Sequence, residues 1–141
     1  MNSVEIVEEF WERVWKDRNP AAIDDFVVDD FVLTTGGVDV VSKIKFKEWA
    51  SAFMAKINDL QFEVIETFQN EDGSRVASRW RIAGKNNGIL GTAADQRAIL
   101  FTGTAVWAVR EDGELAHNWV ERSSFELFEQ LRDSRSTAGG L

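Results

Sequence analysis

The apolar positions of the N-terminal segment recur at helical spacing. Val4, Ile6, Val7, Phe10, Trp11, Val14 and Trp15 form one broad stripe, which predicts a helix over residues 3–17 with Ser3 as its N-cap. Asn19-Pro20 ends that helix, and Pro20 suits the first turn of a short second helix over residues 21–26. Residues 27–35 read as a strand and Gly36-Gly37 as a turn. Ser42 can cap a third helix over residues 43–57, with Ile44, Trp49, Phe53 and Met54 on its inner side.

From Leu60 the period changes to two. Leu60, Phe62, Val64, Glu66 and Phe68 alternate with Gln61, Glu63, Ile65 and Thr67, and Asn70-Glu71-Asp72-Gly73 reads as a hairpin turn. Strands follow over residues 75–84 and 97–110, the second apolar on both faces and therefore expected to be central. A loop with Gly88 and Gly91 separates them. Glu111-Asp112-Gly113 then turns into a last strand over residues 115–123. Phe125 to Arg132 reads as a short helical turn, and residues 134–141 as a frayed, flexible tail. Helices first and a four-strand meander after them make an α+β chain, with one domain over residues 1–133. Helices are expected on one side of a curved antiparallel sheet.

The last strand carries the candidate chemistry. Alternation places His117, Trp119, Glu121 and Ser123 on one face, and Asn118, Val120 and Arg122 on the other. An imidazole, an indole, a carboxylate and a hydroxyl in one row are groups that line small-molecule pockets. His117 is the only histidine, and its ordinary pKa suits proton transfer near neutrality. Trp119 reads as a pocket wall. Trp15, Trp49 and Phe53 lie at helical spacing, where they serve a core or a ligand box. Arg79 and Arg81 share a face with Ala77 and Ala83, opposite Val76, Ser78, Trp80 and Ile82. Burying the Trp80 face would turn both arginines to solvent or to a dimer surface. Lys43, Lys45 and Lys47 read as a solvated face, as do Asp24, Asp25, Asp29 and Asp30.

Composition narrows the options. A net charge of −8 disfavours nucleic acid as a partner. The absence of cysteine removes disulfides and thiolate chemistry, and one histidine makes a zinc site a poor expectation. No metal or other cofactor is called for. The N-terminus has neither a basic segment nor an apolar one, and no apolar run is long enough for a membrane span, so a cytoplasmic protein is expected. Six tryptophans and ten phenylalanines suffice to fill a core and still line a cavity, while the lack of tyrosine removes any phenolic acid or oxyanion donor.

Several segments together resemble a known family. They are residues 58–64 (Asn58-Asp59-Leu60-Gln61-Phe62-Glu63-Val64), Arg75 to Trp80, Gly84-Lys85-Asn86-Asn87-Gly88, Phe101-Thr102-Gly103-Thr104, Asp112 to Trp119, and Leu127 to Leu131. In that order they resemble the nuclear transport factor 2-like superfamily, and within it the SnoaL-like polyketide cyclase group, over residues 4–132. The resemblance implies a cone-shaped α+β barrel and a homodimer formed through the sheet. It also implies a family pattern, Glu-x-Trp-x-x-x-Asp, on the last strand, whose aspartate serves as general acid/base. Here Trp119 holds the tryptophan position, His117 the glutamate position and Ser123 the aspartate position. The family's Gly-Thr-His-x-Gly loop has Asn86 at its histidine position. The tyrosine of the steroid isomerases has no counterpart, and the Asp-Arg-Asp relay of the epoxide hydrolases has no place on these strands.

Two functions follow as expectations. The first is a protein binding a small apolar or polyketide-like ligand in an aromatic-lined cavity. If catalytic, it would be a cyclase, isomerase or lyase acting by proton transfer. His117 would be the acid/base, Ser123 and Asn86 its hydrogen-bond partners, and Trp119, Glu121, Trp49, Phe53 and Trp15 the lining. The second is a non-catalytic ligand-binding or dimerisation module of the same fold, with neither nucleic acid nor membrane as partner.

Overall fold

Asn2, not Ser3, opens the first helix of this computed structural model. Its side chain accepts from the Glu5 N–H at 2.8 Å while the Glu5 carboxylate accepts from the Asn2 N–H at 2.9 Å, a reciprocal capping box. The structure describes residues 1–140, with side chains for residues 1–132. Helix α1 spans Ser3–Phe10 and passes directly into a π-helical turn over Trp11–Lys16. The i→i+5 bond from the Asn19 N–H to the Val14 carbonyl, 2.8 Å, belongs to this wider winding. It keeps Trp11, Val14 and Trp15 all facing inward. A 3-10 helix over Pro20–Asp25 replaces the α-helix expected there.

Six strands follow: β1 Val27–Thr35, β2 Val38–Val41, β3 Ile57–Gln69, β4 Arg75–Asn86, β5 Ala98–Val109 and β6 Leu115–Arg122. Helix α2, Lys43–Ala55, sits between β2 and β3, and α3 runs Ser124–Gly140, longer than the short turn expected. The frayed tail expected over residues 134–141 falls on side chains, and for Leu141 on backbone, outside the described residues.

The sheet order is β2-β1-β6-β5-β4-β3. β3 to β6 form the expected four-strand antiparallel meander, while the rest of the expected sheet is corrected in two ways. β1 pairs with β6 in parallel, so the sheet is mixed rather than antiparallel. β2 and β3 are free edges, so the sheet is open and curved rather than a closed barrel. Strand periodicity reports which residues share a face and carries no information about partners. The four-residue β2 is too short to show a period at all.

Alternation gives the sheet one aromatic face and one polar face. Val76, Ser78, Trp80 and Ile82 of β4, with Phe101, Ala105 and Trp107 of β5, point inward and are buried. Against them lie Phe10, Trp11 and Trp15, with Phe46 and Phe53 from α2. Phe10 meets Trp107 edge-on at 4.7 Å, and Trp11 stacks on Phe62 at 5.0 Å. The Trp11 indole N–H donates to the buried Ser78 hydroxyl at 2.9 Å, tying the π turn to the middle of the sheet. On the other face Arg79 pairs with Glu66 and Arg81 with Glu63, which agrees with the solvent-facing assignment of both arginines. Lys43, Lys47 and Arg13 likewise pair with Asp29, Asp24 and Asp25 at the surface.

Gly103 makes room for Trp80. A Cβ built there would overlap the six-membered ring of that indole. Gly103→Ala is therefore expected to cost about 1–3 kcal/mol, the usual range for overpacking a core. A chemical denaturation midpoint unchanged from the parent protein would contradict this packing.

Candidate functional site

One enclosed space lies between the inner sheet face, the π turn and α2. It measures about 30 Å³, room for roughly two water molecules, and is walled by Trp11, Trp15, Phe53, Phe62 and Trp80. Leu33, Phe46, Ile82 and Val120 complete its apolar lining, with Trp49, Asn118 and Arg122 also facing it. Trp49 and Arg122 are the only lining residues that are not buried, so the mouth lies between them. A far larger hollow, about 650 Å³, is an open groove along α1 and β3. Four of its five charged side chains pair with one another, Lys16 with Glu12 and Arg81 with Glu63, and Glu8 is the fifth. The enclosed space is the better site because it is lined mostly by buried side chains and leaves buried polar groups unmatched.

Those unmatched groups are specific. Asn118 is 3% exposed and its Oδ1 has no hydrogen-bond partner; Trp80 is 4% exposed and its indole N–H has none either. Arg122 stands over the Phe53 ring at 4.8 Å and the Trp49 ring at 5.6 Å, and no carboxylate pairs with it among the described residues. Burial pulls its pKa below the ordinary arginine value, with the neighbouring Glu121 charge opposing. The lining holds no Asp, Glu or His.

The structure divides the residues singled out from the sequence. Trp15, Trp49 and Phe53 come together in the cavity wall, Trp15 edge-on to Phe53 at 5.7 Å and Trp49 stacked on Phe53 at 5.1 Å. His117, Trp119 and Glu121 do not join them. They do share one face, but it is the outer one. The cavity face of β6 is Asn118, Val120 and Arg122. The reason is a β-bulge at Ala116. Val109 pairs with Leu115 and Ala108 with His117, so Ala116 is an extra residue and reverses the alternation. Leu115 is fully buried, and His117, two residues on, points the other way.

On that outer face His117 stacks on Trp119, rings parallel within 7° and 3.9 Å apart, with the Arg75 guanidinium 5.7 Å over the indole. The Thr34 hydroxyl donates to Asp39 Oδ1 at 2.6 Å. Having used its one proton there, it accepts from the imidazole Nε2–H of His117 at 2.8 Å. The neutral imidazole therefore keeps its proton on Nε2 and leaves Nδ1 free to accept. Glu121 borders a shallow outer hollow with Arg79 and Thr104.

Ser123 and Asn86 are engaged elsewhere. The Ser123 hydroxyl accepts from the Thr102 N–H at 3.0 Å at the β6–α3 junction. Asn86 is fully buried and organises the loop that follows it. Its Oδ1 accepts from the Gly88 and Ile89 N–H groups, both at 2.9 Å, while its Nδ2 donates to the Thr92 hydroxyl and the Ala93 carbonyl, both at 3.0 Å. Its carboxamide has no capacity left for a ligand. The sequence reading passed over Asn118, Arg122 and Trp80. The available signal was register: Asn118 and Val120 sit opposite Trp107 and Ala105, which are themselves buried.

Comparison with known proteins places these observations in context. Residues 5–131 match the family model described as SnoaL-like polyketide cyclase. No curated protein matches. An inferred SnoaL-like polyketide cyclase from Jannaschia sp. CCS1 superposes with a TM-score of 0.82 at 13% identity, covering 92% of this chain and 90% of that one. An inferred polyketide cyclase from Acidithiobacillus ferrooxidans does so with a TM-score of 0.76 at 21% identity, over 93% and 94%. An epoxide hydrolase-like protein from M. tuberculosis gives 0.68 at 14% identity, over 92% and 84%. At these identities the likeness establishes the fold.

The pKa of His117 is lowered from 6.5, first by desolvation, with Asp39 opposing and Arg75 adding to the shift. As the only imidazole in the chain it gives one unambiguous NMR titration, whose midpoint should fall below 6.5. Because the folded value is the lower one, protonation favours unfolding. The contribution of His117 to stability is complete above about pH 6.5 and lost as pH falls toward the folded value. A midpoint above 6.5 would mean that the Asp39–Thr34 chain outweighs burial.

Proposed function

We propose that this chain, which belongs to the SnoaL-like polyketide cyclase family, binds a small, largely apolar ligand in the aromatic cavity behind Trp49 and Arg122. The observation that carries this reading is the pair of buried, unmatched polar atoms, Asn118 Oδ1 and Trp80 Nε1, on residues of a wall that is apolar apart from them and Arg122. A buried polar group left without a partner costs about 1–3 kcal/mol, so a ligand able to satisfy these atoms gains that much beyond its apolar contact. At about 30 Å³ the space admits a ring only if its wall moves. Trp49 and Arg122 can swing outward without disturbing the core, because they already reach the surface.

A cyclase or isomerase working through His117 is the second reading. The observation in its favour is the Asp39–Thr34–His117 chain, which fixes the tautomer and leaves Nδ1 open. Against it stands the location of His117, on the far side of the sheet from the enclosed space. The two readings separate cleanly. Val120→Phe fills the cavity and should abolish binding of 2-naphthol, read as tryptophan fluorescence quenching, while His117→Ala should leave it unchanged. Binding that survives Val120→Phe would remove the cavity from consideration. Turnover of an enolisable substrate that His117→Ala abolishes would favour the second reading.

We propose further that two copies associate through the outer sheet face. Strand register aligns Phe68, Ala77, Val106 and Trp119 in one row across β3 to β6, and its three large side chains are 55%, 39% and 37% exposed in that order. The neighbouring row is Glu66, Arg79, Thr104 and Glu121, which supplies a polar rim. Trp119→Glu would place a carboxylate in the apolar row. Sedimentation velocity should then show a dimer for the parent protein and a monomer for the variant at the same micromolar concentration; a parent monomer would refute the interface.

A further inference from the structure

Arg122 is the one charged side chain facing the cavity, and among the described residues no carboxylate forms an ion pair with it; only the charge of its chain neighbour Glu121 acts on it. It arrives there because the bulge at Ala116 turns Asn118, Val120 and Arg122 inward together. Its guanidinium lies over Phe53 at 4.8 Å and Trp49 at 5.6 Å, so two aromatic faces fix the plane of the fork at the mouth. Those faces supply no hydrogen-bond acceptor. Neither the Arg122 guanidinium nor the Asn118 carboxamide is given an acceptor or donor by any described residue, whereas on the outer face Arg79 is paired with Glu66. A half-buried cation with unused donors is a site for an anion supplied from outside.

We infer that the ligand of this cavity is an aromatic or polyene monocarboxylate, its carboxylate held by Arg122 at the mouth and its carbon skeleton directed inward past Phe53 toward Asn118. This inference rests on the cavity-binding reading and adds the ligand's charge and orientation. Three features select a monocarboxylate. The planar fork of arginine matches the two oxygens of a carboxylate. The lining contains one cation, so it neutralises one negative charge and not the two of a phosphate monoester. The remaining lining is apolar except for Asn118 and Trp80, so the rest of the ligand must be largely apolar, with one polar substituent placed for the Asn118 carboxamide.

The test uses the full chain and three probes of one shape: 2-naphthoate, 2-naphthamide and 2-naphthylmethylammonium, titrated by calorimetry. The parent protein should bind the carboxylate at least tenfold more tightly than the carboxamide and show no measurable heat with the cation. Arg122→Gln should reduce the carboxylate preference to less than threefold, the loss falling mainly on the carboxylate. Arg122→Lys, which keeps the charge but loses the fork, should fall between them. Thermal unfolding of each variant checks that the fold is kept. Equal affinity for carboxylate and carboxamide, with both abolished by Val120→Phe, would overturn the charge assignment and leave the cavity reading intact. Failure of all three probes to bind, or binding that Val120→Phe does not affect, would overturn both.

Discussion

Everything in this molecule depends on covering the aromatic inner face of the sheet. Trp80, Phe101 and Trp107 present more apolar surface than a sheet can leave in water, and the stripe from Phe10 to Trp15 with Phe46 and Phe53 covers it. The cover does not fit perfectly. Bulky rings meet edge-on and at tilts between a curved sheet and two helical segments, and the residual gap is the cavity. The site is thus a by-product of the same packing that stabilises the fold. This is why its walls are core residues rather than residues with an evident chemical role.

Two local irregularities decide where the polar groups go. The π turn holds Trp11 and Trp15 inward, so that Trp11 can reach the Ser78 hydroxyl and Trp15 can close the cavity beside Phe53. The bulge at Ala116 turns β6 over and delivers Arg122 and Asn118 to the inside while sending His117 and Glu121 out. Both are departures from ideal geometry that a regular helix or a regular strand would not produce. Removing either would keep the layers and lose the arrangement of the site.

The two faces of the sheet consequently hold different chemistry. Inside there is a single cation, unmatched amide and indole groups, and no carboxylate or imidazole. Outside there is a histidine whose tautomer is set through Thr34 and Asp39, and whose ring is held flat against Trp119. Ser123 and Asn86, which the resemblance matched to the family's aspartate and histidine positions, make hydrogen bonds within the fold. Ser123 bonds the Thr102 backbone, and Asn86 bonds the Gly88, Ile89 and Ala93 backbone together with the Thr92 hydroxyl. Their side chains do structural work, one at a strand–helix junction and the other inside a loop.

Much of this was legible in the sequence. Helical periodicity located the first two α-helices, and five of the six strands were read from alternation, apolar runs and the turns between them. Tryptophan and phenylalanine spacing named Trp15, Trp49 and Phe53 as lining. Alternation also grouped the residues of β6 correctly into two sets, because side-chain direction along a strand is a local property. Which set faces the interior was not local. It depended on one extra residue at Ala116 relative to β5, on the parallel pairing of β1 with β6, and on the burial of Trp107 opposite Asn118. The chain by itself determined what each strand could present; only the register of its neighbours decided that Arg122, and not His117, would face the cavity.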